Sequence, residues 1–229
     1  MSNFNVENYF DLTKSITGDQ LKKYDTAWDV VPHIKEIVEQ VIKSLDKNEY
    51  DVIDGNIFIH KTCKVNKTSS ITGPCVIGKN TEVRQAAFIR GNVIVGENCV
   101  IGNSCELKNS IIFNDAQIPH FNYVGDSIIG YKSHLGAGAI TSNLKSDKSL
   151  VTIKDGKENI KTNLQKLGAI VGDESEVGCN SVLNPGSIIG KHTTIYPLSF
   201  VRGVIKENSI YKNINEIVDK KWLKLLFLI

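Results

Sequence analysis

From Ile53 onward an apolar residue returns at every sixth position: Ile53, Ile59, Val65, Ile71, Ile77, Val83, Ile89, Val95, Ile101, Leu107 and Phe113. The residue two places earlier is often small, as at Cys63, Ser69, Cys75, Thr81, Ala87, Cys99 and Cys105. The residue after it is often Gly or polar, as at Asn66, Gly78, Gly96 and Gly102. After Leu107 a five-residue step leads to Ile112, Ile118 and Val124, and a second short step to Ile129, Leu135 and Thr141. The frame resumes as Val171, Val177, Leu183, Ile189, Ile195 and Val201. A period of six fits neither a helix at 3.6 nor an alternating strand at 2. It fits short strands joined by tight turns, each sending one aliphatic into a narrow core. Three hexads close one triangular coil, and successive coils stack at about 4.8 Å. The spacing therefore predicts an all-β fold, a parallel β-helix.

Composition narrows the function classes. Lys+Arg 27 against Asp+Glu 25 gives a net charge of +2, too balanced for nucleic-acid binding built on bulk charge. The longest unbroken apolar run, Leu225 to Ile229, is far shorter than the ~20 residues that span a bilayer. The start, Met1-Ser2-Asn3-Phe4-Asn5, lacks the basic-then-apolar pattern of a signal peptide. Five cysteines without close pairing argue for a reducing compartment. The expectation is a cytoplasmic protein with no membrane and no nucleic-acid partner. Four of those cysteines occupy the small-residue slot and read as packing; Cys179 lies two places after Val177 and stands apart.

Three segments follow. Residues 1–50 form an N-terminal helical segment, with a helix expected over Trp28 to Leu45 and a shorter one near Val6 to Ile16. Residues 51–211 form the β-helix, interrupted by a loop at 142–170 in which Asp155-Gly156 signals a hairpin. So long an excursion from a tightly turning scaffold points to function or an interface. Residues 212–229, with Ile214, Ile217, Val218, Trp222 and Leu225 at helical spacing, predict a C-terminal helix. Both flanking stripes read as packing or capping surfaces, because open strand edges invite aggregation.

The hexads, of the form Val-Gly-x-x-Ser-x, resemble the hexapeptide-repeat family of left-handed parallel β-helices. Two motifs are more specific: His120-Phe121-Asn122-Tyr123-Val124-Gly125-Asp126, and Gly136-Ala137-Gly138-Ala139-Ile140-Thr141-Ser142-Asn143. Together they resemble the acetyltransferase domain of the bifunctional glucosamine-1-phosphate N-acetyltransferase/UDP-N-acetylglucosamine pyrophosphorylase family. The likeness is closest to the archaeal sugar-1-phosphate branch, through Asn143-Leu144-Lys145 and Lys166-Leu167-Gly168-Ala169. It extends from about Ile53 to Val204. The nucleotidyltransferase half of that family is not expected, since fifty residues cannot hold a nucleotide-binding α/β domain.

The resemblance implies acetyl transfer from acetyl-CoA to an amino-sugar 1-phosphate, without a metal. It implies His120 as the base, Glu106 as a carboxylate partnering it, and Asn143 as a polar contact near the substrate amine. Arg90, Lys108 and Tyr123 match phosphate contacts, with Lys148 the nearest lysine after Asn143 and Lys145 its competitor. Ala137 and Cys179 fall where the family contacts acetyl-CoA. A homotrimer with sites between subunits is also implied. In three places the chain departs from the bacterial pattern: His134 for Asn, Leu144 for Tyr and Cys179 for Ser. Those departures bear on the identity of the sugar.

Part of this stands on the residues alone. Arg90 and Lys108 occupy the same hexad slot one coil apart, so their backbones lie about 5 Å from each other. Two stacked cations repel unless an anion lies between them, and a phosphate suits an arginine fork with an ammonium. Glu106 and Tyr123 likewise share a slot on successive coils. Three other readings compete: the same chemistry on a nucleotide-linked amino sugar, a zinc hydratase of the γ-carbonic-anhydrase type, and a non-catalytic assembly module. The five histidines (His33, His60, His120, His134, His192) lack the zinc spacing.

Overall fold

A computed structural model describes residues 4–220. Its body is a left-handed parallel β-helix with three faces, each a stack of short parallel strands. The first face stacks Ile57–His60, Cys75–Ile77, Val93–Val95, the end of Glu106–Ile112, the end of Tyr123–Ile129, Ala169–Val171, Ser187–Ile189 and Val204–Ile205. The second runs from Lys64–Val65 up to Ser209–Asn213 through Val100–Asn103, Gln117–His120 and Glu176–Val177. The third includes Ser70–Ile71, Phe88–Ile89, Ile140–Thr141, Val182–Leu183 and Phe200–Val201. The sixth-position residues from Ile77 to Ile205 form one buried column inside the triangle, with Ile59 at its lower end, whereas Val65 in the first coil is exposed and Ile71 only half-buried.

The small slot beside each core aliphatic has a physical reason. Its side chain donates to a carbonyl at the neighbouring corner: Thr81 Oγ1 to Gly96 O at 2.8 Å, Cys99 Sγ to Phe113 O at 3.1 Å, Ser175 Oγ to Gly190 O at 2.9 Å. Ser, Thr and Cys are small enough for the corner and carry a donor. The turns themselves use left-handed backbone, mostly at residues that tolerate it, such as Asn80, Asn98 and Asn180.

The two five-residue steps are corners of another kind. Glu106–Ile112 and Tyr123–Ile129 each run through the third face, bend, and continue into the first. One residue at each bend, Asn109 (φ 47°) and Asp126 (φ 50°), takes the place of a longer turn. Ile112 therefore enters the core, while Phe113 points outward and stacks on Phe10 with centroids 4.9 Å apart. The frame also starts later than expected. Tyr50–Ile53 runs antiparallel to Ile57–His60, and Ile53 is 47% exposed.

The N-terminal segment is a side shield. The middle residues of first-face strands (Val76, Ile94, Ile111, Ile128, Ile170, Ile188) point away from the triangle yet are buried. They are covered by the helix Ile34–Ser44, whose Ile34, Ile37, Val38 and Val41 face inward, and by a hairpin of Thr152–Asp155 with Glu158–Lys161. Gly156 turns that hairpin at φ 56°. Ala27–His33, which carries Pro32, winds as a 3-10 helix before Ile34. The region from Val6 to Ile16 is not one helix but a single turn, Val6–Tyr9, and a 3-10 turn, Leu12–Lys14.

The C-terminal helix needs correction. Glu216–Asp219 pairs antiparallel with Ser209–Asn213, so Ile217 and Val218 belong to a hairpin that covers the last sheet edge. Trp222 and Leu225 lie outside the described residues.

Candidate active site

Of the residues singled out by sequence, His120, Ala137 and Cys179 lie at the corner between the second and third faces, Glu106 and Tyr123 open the third face, and Arg90, Lys108 and Asn143 follow its strands. His120 ends a second-face strand and pairs in register with Asn103. Its carbonyl accepts from Gly138 N (3.0 Å), the Ala137 carbonyl from Asn180 N (2.8 Å), and the Cys179 carbonyl from Leu198 N (2.9 Å). His120, Ala137 and Cys179 thus stand one above another along the coil axis. Gly138, at φ 72°, leaves no room for a side chain, because an added Cβ would lie 2.2 Å from Asn180 Oδ1. Buried Asn122 locks this corner: it accepts from His120 N at 3.1 Å and donates to Gly136 O and Ala139 O at 2.8 and 3.1 Å.

Past the corner, the third face begins with polar residues. Glu106 is in register with Tyr123, and Arg90 N donates to Leu107 O, which sets Arg90 beside Lys108. Arg90 Nη1 meets Glu106 Oε1 at 2.6 Å, an ion pair that holds the guanidinium pKa above its usual value. The Tyr123 ring folds over Gly125; a Cβ there would lie 2.4 Å from the phenol oxygen. Burial, then the charges of Asp126 and Glu106, raise the phenol pKa. Asn143 Nδ2 lies 3.2 Å from that oxygen and also donates to Asp126 Oδ2.

Glu106 and His120, which the resemblance couples, each have another partner in the structure. Glu106 opens the third face and binds Arg90, whereas His120 closes the second face across the turn at Phe121 and Asn122. The His120 ring is met by Asn103, with Nδ1 3.2 Å from Oδ1. Lys148 sits in an exposed turn of the excursion, and its carbonyl accepts from Gln165. Lys145 contacts Ser149 and lines a cleft of about 340 Å³ with Ser142, Leu144, Asn184, Phe200 and Arg202. Asn103 and Asn109 escaped the sequence reading, which included Asp126 in a motif but gave it no role, although the second short step in the frame marks it. Among the described residues no three His, Cys, Asp or Glu side chains converge as a metal set, and no helix is long and apolar enough to cross a membrane.

The profile of the "GMPPB C-terminal domain" family matches residues 71–162. The chain is 36% identical over 211 residues to the bifunctional protein GlmU of Methanococcus maripaludis, covering 89% of the chain and 51% of that protein. It is 35% identical over 109 residues to a bifunctional sugar-1-phosphate nucleotidylyltransferase/acetyltransferase of Sulfurisphaera tokodaii, covering 48% and 27%. Among solved structures it is similar to the acetyltransferase domain of PglB from Neisseria gonorrhoeae in complex with acetyl coenzyme A. That match has 12% identity and a TM-score of 0.39, and covers 80% of this chain and 63% of that one. The chain is thus similar to GlmU-like bifunctional proteins, and it spans about half the length of the Methanococcus maripaludis relative.

Proposed function

We propose that the protein is an acetyl-CoA-dependent N-acetyltransferase acting on an amino-sugar 1-phosphate. The observation that supports this reading is that His120, Ala137 and Cys179 form one column before the third face, while Tyr123 opens that face and Arg90, Lys108 and Asn143 lie at its far end. With Nδ1–H donating to Asn103 Oδ1, His120 keeps a lone pair on Nε2. His120 Nε2 takes the proton that the amine loses as its N–C bond forms, and returns it to the sulfur released when the C–S bond breaks. Acetyl-CoA supplies the acetyl group as a thioester. The Ala137 and Cys179 N–H groups, which have no carbonyl partner among the described residues, are donors suited to the thioester oxygen. Arg90 and Lys108 hold the phosphate, which displaces Glu106 as the partner of the arginine fork.

The test is a thiol-release screen with glucosamine 1-phosphate, galactosamine 1-phosphate and UDP-linked amino sugars. Arg90→Ala and Lys108→Ala are expected to raise KM for the sugar phosphate about 10–100-fold, with little change for acetyl-CoA. No thiol release with any amino sugar sinks the reading in favour of an assembly module. The cleft lined by Lys145 and Arg202 favours a second acceptor, a nucleotide-diphosphate amino sugar. A higher kcat/KM for the UDP-linked substrates would select it.

A further inference from the structure

We propose that Asp126 is a positioning residue that fixes which end of the Asn143 carboxamide faces the acceptor. The inference rests on the proposed function only for the identity of that acceptor. Asp126 is 5% exposed at the bend of Tyr123–Ile129, on the left-handed backbone that the short step in the hexad frame demands. Asn109 occupies the same bend one coil below and donates through Nδ2 to Asp126 Oδ1 at 2.8 Å. That nitrogen also lies 3.3 Å from Val31 O in the N-terminal shield, so both of its protons have acceptors. Asp126 Oδ2 is thereby left to face Asn143.

An ionised carboxylate only accepts hydrogen bonds, so the atom of Asn143 that meets Oδ2 must be Nδ2. The same Nδ2 lies 3.2 Å from the Tyr123 oxygen, which places both amide protons within the protein. Asn143 Oδ1 has no protein donor among the described residues. It is the end left for a ligand, and it can only accept. An amine N–H or a hydroxyl fits there; a carbonyl, such as that of the acetylated product, is repelled. The arrangement orients an incoming amine with its lone pair turned away from Asn143.

The proposal predicts a reciprocal pair of substitutions. Asp126→Asn must keep its oxygen toward Asn109 and present an NH₂ group to Asn143, which then flips and turns its own NH₂ toward the acceptor. Asn143→Asp sets two carboxylates against each other. In the double variant the amide introduced at position 126 donates, the carboxylate introduced at position 143 accepts, and an acceptor oxygen again faces the ligand. Each single change should lower kcat/KM for the amino sugar about 10–100-fold, the usual cost of an unmatched buried polar group, with KM for acetyl-CoA unchanged. The double variant should recover to within about fivefold of wild type. A double variant no better than the poorer single one overturns the proposal.

An activity-free measurement separates this from the proposed function. The Asn143 side-chain NH₂ resonances, assigned by their loss in Asn143→Asp, should exchange slowly with water in the wild-type protein and shift in Asp126→Asn. Fast exchange in wild type, or resonances indifferent to Asp126→Asn, overturns the role of Asp126 whether or not any amino sugar is acetylated. If Asp126→Asn fails to fold alone, Asn109→Ala should speed NH₂ exchange at Asn143, and no change in that rate counts against the network.

Discussion

His120 and the cysteines show how one side chain acquires its role from its slot. His120→Ala should lower kcat about 10²–10⁴-fold, the range for losing a positioned base, while circular dichroism and CoA binding stay unchanged. Cys179 is exposed in the same column. Direct attack by the amine gives its sulfur no covalent task, so Cys179→Ser should stay active. A dead but folded Cys179→Ser variant would move the chemistry. Burial pushes the Cys75 and Cys99 thiols up to about 12 from an ordinary value of 9.0. A raised folded-state pKa means these thiols ionise first in the unfolded chain. Their contribution is fully present below about pH 9 and is lost as pH climbs toward 12. The melting temperature should therefore fall steeply above pH 9, and Cys75→Ala with Cys99→Ala should flatten that fall. Alanine is already native to the slot at Ala87 and Ala116, so the substitution is tolerable there. An unchanged slope in the double variant would place the alkaline sensitivity elsewhere.

At the scale of elements, the inward column was legible because its period is rigid: every third hexad returns to the same face, and Ile101, Leu107 and Val124 lie where the frame puts them. The stacking of Arg90 beside Lys108 and of Glu106 on Tyr123 was legible for the same reason, since both are register statements. The N-terminal stripe was read as a packing or capping surface, but the face it covers was not, although its signal was present. First-face strands carry aliphatic doublets (Val76-Ile77, Ile94-Val95, Ile111-Ile112, Ile128-Ile129, Ile170-Val171, Ile188-Ile189), and a doublet means a strand buried on both sides. The hexad frame explains only one member of each. Ile214, Ile217 and Val218 misled because three apolar residues at mixed spacing fit a helix as well as a hairpin, and only the open outer edge of Ser209–Asn213 decides between them. The shield yields its own prediction. Phe10 is 1% exposed and stacked on Phe113. Phe10→Ala should cost about 3–5 kcal/mol, read as a lower urea midpoint. A midpoint unchanged within error would mean the N-terminal segment rests on the β-helix without stabilising it.

For the whole molecule, the three faces are unequal, and that inequality bears on assembly. The first face is covered by the chain's own helices and hairpin, so it is not free to meet another copy. The corner beside the site column is different: Phe121 (61% exposed) and Leu198 (79%) project from it, and Phe200 (64%) lies on the adjoining third face. Large apolar groups in one strip on a surface mark an interaction site. A threefold arrangement of triangular coils is closed, and it buries the same strip on every copy. We therefore expect a homotrimer in which a neighbouring subunit walls the groove over His120, Ala137 and Cys179. Leu198→Asp tests this without disturbing the fold, because the side chain is exposed and aspartate tolerates the φ of 59° at that position. Light scattering should give a trimer for wild type and a monomer near 25.3 kDa for the variant. Thermal melting of the monomer should remain cooperative. Acetyl transfer should fall with trimer content, because each site loses its second wall. A wild-type monomer with full activity, or a Leu198→Asp monomer as active as wild type, would show that one subunit carries the whole site.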